Sequence, residues 1–140
     1  LALIMPLAEH LTGERQDVSA FAEVEGDVPL LLILLALTWT LAAVGEETAY
    51  RGYLLTRVSE ALGPGRVATV VAVLASSVLF GLAHTEQGLV GVVLTTVDAL
   101  FFSWLRFRLG TLWAPVLAHG FTNTIGLVAY FFVGPVYALW

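Results

Sequence analysis

Apolar positions in this chain come in long blocks separated by short polar breaks, and the blocks have the length of membrane helices rather than of core strands. Val28 to Gly45 carries no charge, and a more amphipathic continuation runs to about Leu62, where Gly63-Pro64-Gly65 stops it. Asp27 is placed to cap this helix, and Pro29 falls in its first turn, where a missing N–H is harmless. Val67 to His84 is an eighteen-residue block without charge before its terminal histidine, about 27 Å of helix at ~1.5 Å per residue. Leu89 to Phe107 makes a third span, interrupted by Asp98, and Leu112 to about Val133 a fourth, ended by Gly134-Pro135. Leu1 to Ala8 reads as the last turns of a truncated apolar helix, so the chain, which starts at Leu1, reads as a fragment. The expected fold is all-α: a polytopic membrane helical bundle with about four complete transmembrane helices plus the truncated N-terminal one. Residues 1–27 are expected to be that helix end and an acidic connection, and residues 28–140 the core.

The connection from Glu9 to Asp27 holds Glu9, Glu14, Asp17, Glu23, Glu25 and Asp27, six of the eleven acids, against Arg15 alone. Its low hydrophobicity predicts an exposed, solvated linker. Arg51, Arg57 and Arg66 fall in one turn region and Arg106 and Arg108 in another, with none between His84 and Leu89, which fits both arginine-bearing turns being cytoplasmic. Trp104 and Trp113 flank the second of these turns as interfacial aromatics.

Composition agrees with the pattern. A hydrophobic fraction of 59%, charged residues at 12% and a mean hydropathy of +0.89 belong to a multi-pass integral membrane protein whose first partner is the lipid bilayer. The absence of cysteine removes disulfides, thiolate metal sites and cysteine nucleophiles. A net charge of −5 with no basic run excludes nucleic acid as a partner. No secretory signal pattern is present.

The costly stretch is Gly45-Glu46-Glu47-Thr48-Ala49-Tyr50-Arg51-Gly52, which sets adjacent carboxylates and an arginine at the end of an apolar run. Each ionisable group at a membrane helix centre costs roughly 2.5–3.5 kcal/mol, and function is the usual reason it is kept. Glu47 and Arg51 are four apart with the acid first, the favourable order for an ion pair. Glu46 is left without an ionic partner, and the Tyr50 hydroxyl, four residues on, can steer it or a water bound to it. The competing reading is a helix end exposed to water.

Other constellations share helical faces. Phe80 and His84 are four apart, with Ser77, Gly81 and His84 in one stripe; His119 and Asn123 are four apart, extended by Gly126. Each alone is as well explained by interhelical packing and hydrogen bonding. Gly65 lies nineteen residues from both Glu46 and His84, so in an antiparallel hairpin both sit about 28 Å from the turn and can meet. His119 and Asn123, nine and thirteen residues past Gly110, come only about 14 and 20 Å in, and tilt or a protruding 52–66 segment must close the gap. There is no Gly-x-Ser-x-Gly, no His-Glu-x-x-His, and a single aspartate within a span, Asp98, which argues against serine, zincin and aspartyl mechanisms. Asp98 itself either faces the cavity or pairs with an arginine.

Glu46-Glu47-x-x-x-Arg51-Gly52, then Phe80-x-x-x-His84, then His119-x-x-x-Asn123, with Gly110-Thr111-Leu112-Trp113-Ala114-Pro115 leading into the last, resembles the CAAX-protease and bacteriocin-processing family of intramembrane endopeptidases (CPBP, CAAX prenyl protease 2/Abi-type) over roughly Leu37 to Val133. The resemblance implies that residues 28–140 are a protease core in a bacterial or archaeal cell membrane. It implies a peptide or protein substrate in the membrane, lipidated near its C-terminus or an exported peptide precursor. It assigns Glu46 as the base that activates water, His84 as its assistant, His119 and Asn123 as oxyanion donors, and Glu47 with Arg51 as a structural pair. The family is often labelled metalloprotease; no cofactor is expected to be required, although Glu46, His84 and His119 would be the ligands if zinc were bound. Two other classes remain open, a proton-coupled transporter component and a catalytically silent bacteriocin self-immunity protein.

Overall fold

The computed structural model describes residues 4–135, so the first three residues of the expected N-terminal helix end and the last five of the expected core lie outside the described residues. The fold is all-helical, with no strand among the described residues. A short helix α1 (Ile4–Thr12) is followed by a 3₁₀ segment, Ser19–Val24, and then by the long helices α2 (Val28–Leu62), α3 (Arg66–Leu82), α4 (Gly88–Leu109, preceded by a 3₁₀ turn at Thr85–Gln87) and α5 (Trp113–Val133). This is the helical membrane bundle expected from the apolar blocks: α2, Thr85–Leu109 and α5 are long and apolar enough to cross a bilayer. At 17 residues α3 reaches about 26 Å, slightly less than a typical hydrocarbon core.

The start of α2 follows its sequence signals. Asp27 Oδ1 accepts from the Leu30 amide at 2.9 Å, and Pro29 occupies the first turn. Only 11% of the most apolar window of α2 is buried in the protein, so hydrocarbon chains are the medium for the rest. The helix is α over Val28–Leu37 and Leu55–Leu62, but takes wider i→i+5 turns over Thr38–Glu46 and Thr48–Leu54. Such turns are uncommon and concentrate at functional sites, and here the first ends on Glu46 and the second begins just after Glu47.

Helix α3 presents a stripe of small residues, Ala68, Ala72 and Ser76, four apart and ending on Phe80, with Ser77 and Gly81 beside it. Lipid gives no hydrophobic drive for helix association, so close backbone approach supplies the attraction instead. Ser76 Oγ donates to the Tyr50 carbonyl at 3.2 Å and fixes α3 to α2. On the other side α4 comes so near that a Cβ on Gly81 would overlap Thr96 Oγ1 and lie 2.7 Å from the Val92 carbonyl oxygen. Helix α5 closes the bundle by packing on α4 and on the Thr38–Glu46 segment of α2, where Trp39 fills the space in front of Gly120.

The expected solvated linker is instead a docked strap. Asp17 Oδ1 accepts from the Ser19 amide and starts the 3₁₀ turn, whose period of three sets Val18, Phe21 and Val24 along one edge. Val18 and Val24 are buried with Tyr130 of α5, and the Gly26 amide donates to the Phe131 carbonyl. Glu14, Asp17, Glu23, Glu25 and Asp27 are exposed as expected. Counting charge concealed the apolar edge that lies between them. Upstream, Met5 and Ala8 of α1 are buried against Val90 and Leu94 of α4.

Gly81→Ala is expected to lower stability by about 1–3 kcal/mol, because the carbonyl of Val92 cannot rotate away from the added methyl. The control is Gly52→Ala, whose nearest neighbour, Leu112 Cδ2, lies at an ordinary 3.5 Å; thermal unfolding in detergent should separate the two.

Candidate active site

The centre of the bundle is a buried ionic cluster. Glu47 and Arg51, one helical turn apart on α2, pair at 2.9 Å between Oε1 and Nη1 with both side chains fully buried. The same Oε1 accepts from Nδ1 of His119 on α5 at 3.0 Å. Arg51 Nε and Nη2 find no protein hydrogen-bond acceptor, and aromatic faces take the guanidinium instead: its carbon lies 4.3 Å from the Phe80 ring centroid and 5.4 Å from that of Phe102. The expected Glu47–Arg51 pair is therefore present, with a third member that the four-residue spacing could not announce.

Phe80 is the junction of the site. Its ring is 4.7 Å from the His84 ring, 5.9 Å from that of His119 and 5.0 Å, edge-on, from that of Tyr50. Its carbonyl accepts from Nδ1 of His84 at 2.8 Å. His84 lies just past the end of α3 rather than inside the helix, and this bond holds its ring against the last turn. Tyr50 takes a different place from the expected one. Its ring is occupied by Phe80, and no hydrogen bond joins its hydroxyl to Glu46 among the described residues.

Glu46, His84, Asp98, His119 and Asn123 all line one cavity of about 350 Å³. Glu46 is half-buried, and its Oε2 has no hydrogen-bond partner. The depth mismatch expected between His119 and the glutamates does not arise, since His119 touches Glu47 directly. Of the two readings of Asp98, the cavity wall is the observed one. Phe102, not singled out from the sequence, stacks on His119 at 5.1 Å and 17°; its signal was the four-residue spacing from Asp98 on one face of α4. Gln16, Val18 and Phe21 of the strap also reach the cavity, and Gln16 Nε2 donates to Gln87 Oε1 at 2.9 Å across its edge.

The hydrogen bonds fix both imidazoles. A carbonyl and an ionised carboxylate only accept, so Nδ1 carries the proton in His84 and in His119, and Nε2 is the free nitrogen of each. A hydrogen bond of this kind from the other ring nitrogen is also what a metal-ligating histidine makes. Zinc, however, needs its donors within about 2.0–2.2 Å of one point, and the described residues contain no group of three His, Cys, Asp or Glu side chains placed to hold a metal ion together.

The family model described as Rce1-like, type II CAAX prenyl endopeptidase Rce1-like, matches residues 28–125, well over half of the chain and a range that includes Glu46, Glu47, Arg51, His84, His119 and Asn123. Comparison with curated proteins and with solved structures finds no match.

Removing one member of a buried pair strands the other, which typically costs 3–5 kcal/mol. Arg51→Met and Glu47→Gln are each expected to destabilise on that scale. The double variant should lose less than their sum, with a coupling of about 0.5–3 kcal/mol in unfolding free energies measured in detergent.

Proposed function

We propose that this chain, which belongs to the Rce1-like family of type II CAAX prenyl endopeptidases, hydrolyses peptide bonds of membrane-associated substrates in the cavity lined by Glu46, His84, His119 and Asn123. The observation that carries this reading is the convergence of a carboxylate, two imidazoles and a carboxamide from two helices and a helix end onto one partly apolar space. Leu34, Leu37, Leu41 and Leu127 line that space too, and suit a substrate with an apolar or lipidated flank.

In the proposed sequence Glu46, the glutamate that lines the cavity, takes a proton from a water that attacks the scissile carbonyl carbon. His84, with its Nε2 lone pair open, accepts from the same water and orients it. Negative charge develops on the carbonyl oxygen, and the Asn123 amide donates to it. His119 does so through Nε2–H when its ring carries both protons, while Glu47 keeps hold of Nδ1–H. Collapse breaks the carbon–nitrogen bond and returns the proton from Glu46 to the departing amine, so one water is consumed and one acid and one amine leave. Glu47 and Arg51 do not touch the substrate; Glu47 holds His119 by its Nδ1–H in the direction that this step requires and favours the charged ring, and Arg51 holds Glu47.

Glu46→Gln is expected to abolish cleavage with an unfolding temperature close to that of the native protein. Asn123→Ala should lower kcat by about 10²–10³-fold, the usual effect of losing an oxyanion donor, and Arg51→Lys should give a partial loss. Mass spectrometry of membrane peptides with native protein against Glu46→Gln checks the first of these. Native-like cleavage by that variant would end the hydrolytic reading.

The proposed chemistry uses no metal. Protein stripped with a chelator and shown by elemental analysis to be metal-free is expected to keep its activity. Activity that vanishes and returns only with stoichiometric zinc would instead make Glu46, His84 and His119 ligands.

A further inference from the structure

Among the described residues the ring of His119 makes one hydrogen bond, from Nδ1–H to Glu47 Oε1 at 3.0 Å. A planar ring tied to its backbone at one side and to a single acceptor at Nδ1 keeps one motion. It tilts about the line through those two points, and Nε2 swings as it does. A hydrogen bond at Nδ1 leaves that tilt free, whereas a flat group lying against the face of the ring stops it.

Two aromatic rings meet His119 at different angles. Phe80 of α3 stands at 80° to it with centroids 5.9 Å apart, so the two touch edge to face. Phe102 of α4 lies at 17° and 5.1 Å, a nearly parallel stack. The parallel ring is the one that resists tilt. Phe102 is itself confined: it is 3% exposed, and Ala99 and Ser103 beside it on α4 are fully buried. Its π face also suits the charge that the hydrolytic scheme places on His119 when the ring carries both protons, since a cation within about 6 Å of an aromatic centroid is attracted to it. The guanidinium carbon of Arg51, 5.4 Å from the same centroid, already draws on that effect. An aliphatic side chain at this position offers neither a flat face nor a π charge distribution.

We infer that Phe102 is a positioning residue of the site: by stacking on His119 it holds the plane of the imidazole and so aims Nε2–H at the place where the scissile carbonyl oxygen gains charge. This role rests on the hydrolytic reading above. Phe102 transfers no proton and donates no hydrogen bond; it acts through His119. It belongs to none of the Glu46, Phe80–His84 and His119–Asn123 motifs, and it is supplied by the one long helix that contributes no residue to them.

The test uses a membrane peptide that native protein cleaves in proteoliposomes and Glu46→Gln does not. Phe102→Leu is expected to lower kcat by about tenfold to a hundredfold, less than the loss of a donor outright, with KM changed by less than about twofold. Phe102→Tyr keeps the flat ring and should recover most of that loss. Thermal unfolding in detergent shows whether each variant is folded, and Phe102→Met takes the place of Phe102→Leu if the latter is not. A native kcat in Phe102→Leu, a loss carried by KM, or a Phe102→Tyr as impaired as Phe102→Leu overturns the inference. The ring is also observed without turnover. The chain has three histidines, so protein carrying isotope-labelled histidine gives ring signals in nuclear magnetic resonance that His119→Gln assigns. Native protein and Phe102→Tyr should each show one sharp set for His119, and Phe102→Leu a broadened or split set as the ring samples more than one tilt. One sharp set in Phe102→Leu overturns the inference. If native protein cleaves no peptide, the hydrolytic reading fails, while these spectra still decide whether Phe102 holds the ring.

Discussion

A charge buried in a membrane helix bundle has to be answered inside the bundle, and in this protein the answer is the three-way contact of Glu47, Arg51 and His119. It joins α2 to α5 through a single carboxylate oxygen, and the guanidinium is sandwiched by Phe80 of α3 and Phe102 of α4. Each of the four long helices therefore contributes a side chain to one cluster, which makes their relative positions a condition for burying the charge at all. Aromatic faces replace hydrogen bonds for the arginine nitrogens that have none.

That cluster divides the labour between adjacent glutamates. Glu47 points inward, with its Oε1 shared by Arg51 and His119, whereas Glu46, one residue earlier, lines the cavity. Neighbouring residues on a helix point roughly 100° apart, and the wide turns on either side of the pair alter the local geometry further. A buried, paired acid and a cavity-lining acid can thus occupy consecutive positions without competing for the same partners. The strap adds the remaining wall. With Val18 and Val24 buried and Gln16 bonded to Gln87, it covers part of the cavity edge that the four long helices leave open.

Much of this was readable from residues alone. Periodicity and hydropathy determine the helices, because a chain in lipid must satisfy its backbone bonds within each segment and needs a fixed length to cross. Asp27 and Pro29 determine where α2 begins, and the spacing of Glu47 and Arg51 determines their pairing, since both effects act within one turn. The order of the Glu46, His84 and His119-Asn123 motifs carried the family resemblance, which the matched residues 28–125 bear out.

What the sequence could not determine depends on contacts between distant segments. The partner of His119 lies 72 residues away, and simple rise arithmetic on straight helices put the two at different depths. The strap's acids alone mark a linker, and the three-residue spacing of its apolar residues matters only once α5 offers Tyr130 to pack on. Tyr50 was expected beside Glu46 by spacing, but α3 brings Phe80 against its ring. Asp98 had two readings on sequence grounds, and only the packing of α4 against α5 and α2 turned it to the cavity. Local rules fix what a residue can do within a turn or two; which of those options is used is decided by what the rest of the chain packs against it.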